Sequence, residues 1–479
     1  MNKELIEKIQ EVFDFQKSHY SPAKTPSYQL RIDRLTRIEQ MCRKHVKEIT
    51  QALQQDFGTR HPDLIFLADI FPQISHAKYV KKHLKSWMKK EKTSSGLLAF
   101  TGQSSYFVNE PLGVVGIMSP FNAPVSLALD PAVDAIAAGN SVMIKISEST
   151  PETANLMKIL VNHYFNSEEV VVVTGDSEVS KFFASLPWDK FVFTGGSEVG
   201  KHILKAAAQN LTPVLLELGG KSPCIILEDA DIPEVAHKIM KVRLMNAGQV
   251  CISGDYVMLP KQHLDDFIQS ILESAKETYP NIIDNEDFTS VIDNRAYDRI
   301  TGYIDEAINE GCRVIESNPM NENVPDRKSR KIPLTLVINP SQHLQVCENE
   351  IFGPVLSVFT YESLRDAIQY INSKPKPLAL YIFGKNKTEI NQVINNTSSG
   401  GVTVNDLLMH ADSKEMGFGG VGYSGMGRYK GGLIGYKAFS NPKSVVEQGF
   451  LRRFTERFIP PMKNDTARKM LRNQVGVKY

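Results

Sequence analysis

Cysteine is scarce, net charge is close to zero, and no apolar run is both long and unbroken enough to cross a bilayer. The five cysteines, Cys42, Cys224, Cys251, Cys312 and Cys347, are scattered and form no CxxC pair. This argues against a zinc ribbon or a disulfide framework, so no metal is expected and the reducing cytoplasm is the expected compartment. With 55 basic against 54 acidic residues there is no global field to draw in nucleic acid. The longest uncharged region before Asp130, Pro111 to Leu129, is broken by Pro120, Asn122 and Pro124 and reads as a buried strand followed by a polar turn. The opening MNKELIEKIQEVF lacks the continuous apolar core of a signal peptide. The basic end, residues 451–479, is no bilayer anchor and reads as a solvated or partner-packed tail, with a role at an anionic surface as the alternative.

What is present is a chain of 479 residues with room for two or three domains. After a helical first ninety residues come five short apolar runs, in PLGVVGIMSP, NSVMIKISES, EEVVVVTGDS, DKFVFTGGSE and TPVLLELGGK. Most are followed by a helix-compatible segment. Strands alternating with helices at this rhythm predict parallel βαβ units in an open α/β sheet, with ligands beyond the carboxyl ends of the strands. From Lys221 to about Gly400 the pattern continues less regularly around CIIL, YVML and YIFG, which predicts a second α/β domain. The polar stretch from 317 to 333 is expected to be a surface loop.

FVFTGGSEVGKH, Phe191 to His202, misses the phosphate-binding P-loop by one residue, since His202 stands where Ser or Thr would hold magnesium. It aims a helix amino end beyond a strand, which suits phosphate, but a simple structural turn is an equal reading. Cys251, in NAGQVCISGD, is either a small buried hydrophobe or a nucleophile that needs a base to release its proton. Glu217, near the end of TPVLLEL, is either a strand-end salt-bridge partner or that base, its pKa raised by partial burial. Asn122, in SPFNAP, either caps its turn or donates to an oxyanion. Lys145 and Glu350 have ordinary surface readings when taken alone.

Together, SPFNAP, MIKISES, FTGGSEVG, LELGGKSP, NAGQVC, ENEIFGP and FGGVGYSGMG resemble the aldehyde dehydrogenase superfamily in order and rough separation, over nearly the whole chain. Within it the sequence looks most like the class 3 branch and its bacterial coniferyl aldehyde dehydrogenases. The resemblance implies an aldehyde dehydrogenase-like α/β fold. A Rossmann-type cofactor domain (1–94 and 114–217) would adjoin a catalytic domain (218–400) and a small β oligomerisation element (95–113 and 401–450), usually giving a homodimer. It implies oxidation of an aldehyde, aromatic or medium to long aliphatic, to the carboxylic acid through a cysteine thiohemiacetal and thioester. By motif, Cys251 would attack, the Asn122 amide and the Cys251 N–H would hold the oxyanion, and Glu217 would activate water. Lys145 and Glu148 would contact the adenosine ribose, Gly195, Ser197 and Gly200 would shape the helix start facing the pyrophosphate, and Glu350 with Phe352 would position the nicotinamide ribose. Glu148 would repel an added phosphate, which favours NAD, with NADP as the alternative.

Two positions depart from the family pattern, Ile146 and Gly417, each where proline is common. The first is expected to leave the backbone beside Lys145 less fixed, the second to loosen a loop near the substrate entrance. A P-loop phosphotransferase built on Lys201 and a catalytically silent member of the fold are the competing functions.

Overall fold

The computed structural model describes residues 2–451, 455–462 and 464–477. All five apolar runs form one parallel sheet: Val114–Met118, Ser141–Lys145, Val170–Val173, Lys190–Gly195 and Val214–Leu218. Their β-branched and aromatic side chains are buried almost throughout, because helices cover both faces and leave no polar side to alternate with. The spatial order places Val114–Met118 between Ser141–Lys145 and Lys190–Gly195, so the chain winds outward in both directions from it. At such a reversal the connections leave to opposite faces, and a crevice opens beyond the carboxyl ends of the two strands.

The helix Ser126–Ala138 returns the chain from the first strand to the second and ends at Gly139, whose φ of 99° suits only glycine. Amino-terminal helices Asn2–His19, Tyr28–Lys44 and Val46–Phe57 pack around this unit. Arg34 and Arg37 clamp the buried Glu169 at 2.9 and 2.7 Å, tying the second of these helices to the start of Val170–Val173. This pairing holds the Glu169 carboxyl down at about 2 against the opposing effect of burial.

The second α/β layer is a seven-stranded sheet in the order Arg313–Glu316, Thr335–Ile338, Val355–Tyr361, Tyr256–Pro260, Pro223–Ile226, Ala379–Phe383, Gly401–Val404. Only the first of these runs antiparallel to its neighbour. Residues 317–333 form a loop without helix or strand, although Lys331 within it is buried and donates to the carbonyls of Ile283 and Asn285. A third, antiparallel sheet joins Glu91–Thr93, Ser104–Pro111 and Ser440–Glu447.

The segment 401–450, expected with 95–113 to form the small β oligomerisation element, places strands in all three sheets. Gly401–Val404 extends the seven-stranded sheet, Gly425–Met426 pairs with Leu216 and Glu217, and only Ser440–Glu447 joins the small sheet. The second of these contacts matters for chemistry, since it lays Gly425–Met426 along the strand that carries Glu217.

Candidate active site

Cys251 follows a tight left-handed turn. Asn246, Ala247 and Gly248 have φ of 55°, 53° and 72°, a conformation that costs non-glycine residues roughly 1–2 kcal/mol each. A side chain at Gly248 would overlap the carbonyl of Gly353. Buried amides hold the turn: Gln249 donates to the carbonyls of Asn246 (2.9 Å) and Ser290 (3.2 Å) and accepts from the Ile292 N–H (2.9 Å). Tyr381 adds a hydroxyl donated to the carbonyl of Ile252 at 2.5 Å.

The Asn122 loop is tied to this turn from both sides. Asn122 Nδ2 donates to the carbonyl of Gln249 at 3.1 Å, and Asn246 Nδ2 donates to the carbonyl of Asn122 at 3.1 Å. Behind them Arg60 donates to the same Asn122 carbonyl at 3.2 Å while pairing with Asp69 at 3.0 Å, both side chains fully buried. Asp69 lies in a π-helical turn, Phe66–Ile70, and accepts the N–H groups of Val125 and Ser126 at the start of the helix Ser126–Ala138. A carboxylate there satisfies free helix donors and meets the positive end of the dipole.

Glu217 is 1% exposed, and neither of its carboxylate oxygens has a hydrogen-bond partner of regular geometry among the described residues. Burial pushes its pKa up to about 7, opposed by the Cys251 thiol beside it and by the ammonium of Lys430. Burial, then the Glu217 and Glu350 carboxylates, raise the Cys251 thiol well above its ordinary value. Glu350 is itself pushed up to about 8, by burial and then by Asp255, with the Gly220 N–H opposing. The resting thiol is therefore neutral, and the carboxyl beside it titrates in the range useful to a general base.

Glu350 lies across Gly219, where any Cβ would overlap its carboxylate. Its loop is pinned by Lys221, which donates to Asp255 and to the carbonyls of Val346 and Asn349, while Asp255 accepts the Ile351 N–H at 3.0 Å. Phe352 has φ 46° and meets the Phe121 ring edge-on at 5.8 Å. A strained residue persists where its surroundings dictate it, as this pinned loop does.

A cleft of about 430 Å³ lies at the strand-order reversal, lined by Asn122, Lys145, Glu148, Gly195, Glu217, Cys251, Glu350 and Phe352 among others. Gly196, on the same wall, faces open space at the amino end of the helix Ser197–Ala208. Ser197 and Gly200 do not line this cleft. Ser197 donates its hydroxyl to the carbonyl of Tyr423 at 3.0 Å, and Gly200 is buried where a Cβ would press on Leu218, so its smallness lets helix and strand approach. Lys145 is fully buried and donates to the exposed Glu148 at 2.7 Å. Ile146 is 1% exposed in the main core, so burial anchors the backbone that was expected to be loose for want of proline.

A second space of about 170 Å³ opens on the other side of Cys251 and Asn122, which border both. Leu64, Leu127, Met245, Ile252 and Phe418 give it an apolar wall, with Arg60, Ser126, Asp130, Tyr429 and Lys430 as its charged or hydroxyl-bearing members. The loop after Gly417 is not slack. Phe418 and Tyr429 exchange backbone hydrogen bonds at 2.9 and 3.0 Å, and Arg428 donates to the carbonyl of Gly417 at 2.9 Å.

Among the described residues no group of His, Cys, Asp and Glu is placed to hold a metal. Lys201 is exposed, paired with Glu198 at 2.7 Å and stationed over the Tyr423 ring, and it does not line the cleft. The phosphotransferase reading fails on that placement. Sequence reading also missed Arg60, Asp69, Lys221, Asp255, Asp130 and Lys430, all charged groups whose roles depend on partners brought by the fold.

Residues 6–445 match the model of the aldehyde dehydrogenase family. The chain is 42% identical over 442 residues to a probable coniferyl aldehyde dehydrogenase of Caulobacter vibrioides, covering 92% of this chain and 91% of that protein. It is 43% identical over 420 residues to a coniferyl aldehyde dehydrogenase of a Pseudomonas species, covering 88% and 86%. The solved substrate-bound structure of Staphylococcus aureus AldH superposes with a TM-score of 0.91 at 32% identity, covering 98% of this chain and 99% of that one. The chain belongs to the aldehyde dehydrogenase family and is an NAD(P)-dependent aldehyde dehydrogenase.

Proposed function

We propose that Cys251 is the nucleophile, Asn122 the oxyanion donor and Glu217 the general base in the oxidation of an aromatic aldehyde to its acid. One observation carries this reading: the Cys251 thiol borders both the cleft and the apolar funnel, beside a buried carboxyl that titrates near 7. Glu217 takes the thiol proton as sulfur bonds to the carbonyl carbon, giving a thiohemiacetal whose oxygen is held by the Asn122 amide and the Cys251 N–H. Donors already fixed where charge develops contribute on the order of 3 kcal/mol each. Once the thioester has formed and Glu217 has released the thiol proton to solvent, its carboxylate draws a proton from water, which attacks the acyl carbon and releases thiolate and acid. Splitting one hard step in two is the advantage of a sulfur nucleophile.

The cleft suits a dinucleotide: a helix amino end at Gly196 for the pyrophosphate, and Lys145 with Glu148 for ribose hydroxyls. A nicotinamide bound there supplies the hydride acceptor. Lys145 and Glu148 would hold the adenosine ribose, Gly195 would face the pyrophosphate and Glu350 with Phe352 would hold the nicotinamide ribose, while Ser197 and Gly200 shape the wall from behind. The exposed Glu148 carboxylate disfavours a phosphorylated ribose, so NAD is the expected cofactor. Residues 1–94 and 114–217 serve the cofactor, and 218–400 carry the nucleophile.

Coniferyl aldehyde, named for two of the relatives, sets the expected substrate class as aromatic aldehydes. A panel of aromatic and aliphatic aldehydes, each with NAD and with NADP, tests this. Higher kcat/KM with aromatic members and with NAD is expected. Preference for long alkanals or for NADP overturns the corresponding half.

Association into a homodimer is supported by two open sheet edges. Ser440–Glu447 ends the small sheet with Val446 62% exposed, and Gly401–Val404 ends the seven-stranded one with Val404 37% exposed. Unpaired edges of this kind are usually covered. Light scattering should give twice the chain mass of 53.6 kDa, and a monomer would refute the pairing. A cytoplasmic location is supported by five free cysteines and by the lack, among described residues, of a helix long and apolar enough to cross a membrane.

A further inference from the structure

The funnel wall carries an ammonium group, Lys430, whose charge bears on Glu217 and which also borders the substrate space. Lys430 contacts Asp130 at 3.3 Å, and its backbone, at φ 59°, donates to Asp134 at 2.8 Å. Asp134 is paired in turn with His76 at 2.9 Å, and Asp130 accepts from Gln73 at 3.1 Å. Both aspartates project from the helix Ser126–Ala138 and are 1% exposed. Lys430 is thus held in a left-handed conformation by groups that are themselves fixed. Such over-determination is the mark of a functional position.

An ammonium and a carboxylate side by side in an apolar funnel are costly unless their remaining hydrogen-bonding capacity is met. Lys430 has three N–H donors; among the described residues its ammonium pairs with Asp130, with Asp412 and Asp134 acting on it from farther off. A hydroxyl meets both groups at once, accepting from the ammonium and donating to the carboxylate. About 170 Å³ is close to a cavity that takes a single benzene ring, and Cys251 and Lys430 border the same space. An aromatic aldehyde with its carbonyl at Cys251 fills the funnel and brings its far end toward Lys430.

We infer that Lys430 and Asp130 form a subsite for a hydroxyl group on the aromatic ring remote from the aldehyde, and so select hydroxylated aromatic aldehydes over plain ones. This rests on the aromatic-aldehyde reading given above. It adds two specificity residues outside the nucleophile, base and oxyanion set.

The test compares kcat/KM for benzaldehyde, 4-hydroxybenzaldehyde and 4-methoxybenzaldehyde, the last keeping the acceptor and losing the donor. Wild-type enzyme is expected to favour the hydroxylated member by about 10- to 100-fold, the range of a hydrogen bond to a charged group. The methoxy compound should fall between the other two. In Lys430→Met and in Asp130→Asn the ratio of hydroxylated to plain substrate should drop toward one. Comparing the ratio between enzymes cancels intrinsic aldehyde reactivity, and damage to the fold alone would slow both substrates alike and leave the ratio unmoved. An unmoved ratio in both variants overturns the subsite, as does a wild-type enzyme indifferent to the three substituents. Absence of turnover with every aromatic aldehyde, against brisk turnover of alkanals, would instead overturn the substrate reading beneath it.

Discussion

Cys251→Ala is expected to lower aldehyde-dependent reduction of NAD by a factor on the order of 10⁴ or more, the scale seen when a covalent nucleophile is removed. No neighbouring thiol can take over. Cys224 and Cys42 are fully buried, and burial alone pushes Cys42 up to about 12, so neither is an accessible thiolate. The Asn122 amide would still polarise a carbonyl, but without sulfur no thiohemiacetal forms and no thioester follows. Cofactor affinity should survive, because the groups that would hold the cofactor, Lys145, Glu148 and the helix start at Gly196, are left unchanged on the cleft wall. The discriminating measurement pairs steady-state turnover with cofactor titration by protein fluorescence. Near-normal turnover in the variant would exclude Cys251 as the nucleophile. Loss of both turnover and binding would show a collapsed site instead.

The parts of this site that sequence reveals are those written in short contiguous motifs. NAGQVC, LELGGK and SPFNAP each contain their chemical residue together with the glycine, proline or amide that shapes its turn. A short motif can therefore be read without knowing the fold. The electrostatic frame behind them is not contiguous. Lys221 reaches Asp255 across 34 positions, and the Lys430 N–H reaches Asp134 across 296. Each of these charges looks like a solvated surface residue until its partner is placed. The same limit explains the strand Gly401–Val404. Its four residues match any edge strand, and only parallel pairing with Ala379–Phe383 assigns it to the seven-stranded sheet.

The two departures from the family pattern teach a related lesson. Proline fixes a backbone through φ, but burial or cross-strand bonding can do the same work. Ile146 is locked by core packing, and the loop at Gly417 by the Phe418 and Tyr429 pair. Sequence shows the missing ring and hides the replacement contact. Ser197 and Gly200 fall between these cases: their motif correctly marks a helix start at a strand end, yet their side-chain positions serve packing and a tie to Tyr423.

Glu217→Gln keeps the shape of the carboxyl and removes its capacity to accept a proton, so thioester hydrolysis should slow by about 10²- to 10⁴-fold, the usual contribution of a general base. Acylation is affected less if the small thiolate fraction of Cys251 can attack unaided. The expected trace is then a burst of reduced cofactor approaching one equivalent per active site, followed by a slow steady rate. The pH profile supplies an independent check. Burial raises the Glu217 pKa to about 7, and the base is the deprotonated form, so wild-type kcat should rise with pH through about 7 and fall away below it. Glutamine has no such titration, and that limb should vanish from the variant. Glu350, pushed up to about 8, titrates nearby and must be separated from it. Glu350→Gln should retain the limb near 7, whereas Glu217→Gln should not. If the limb persists in Glu217→Gln, or if that variant turns over at the wild-type rate with no burst, another group activates the hydrolytic water.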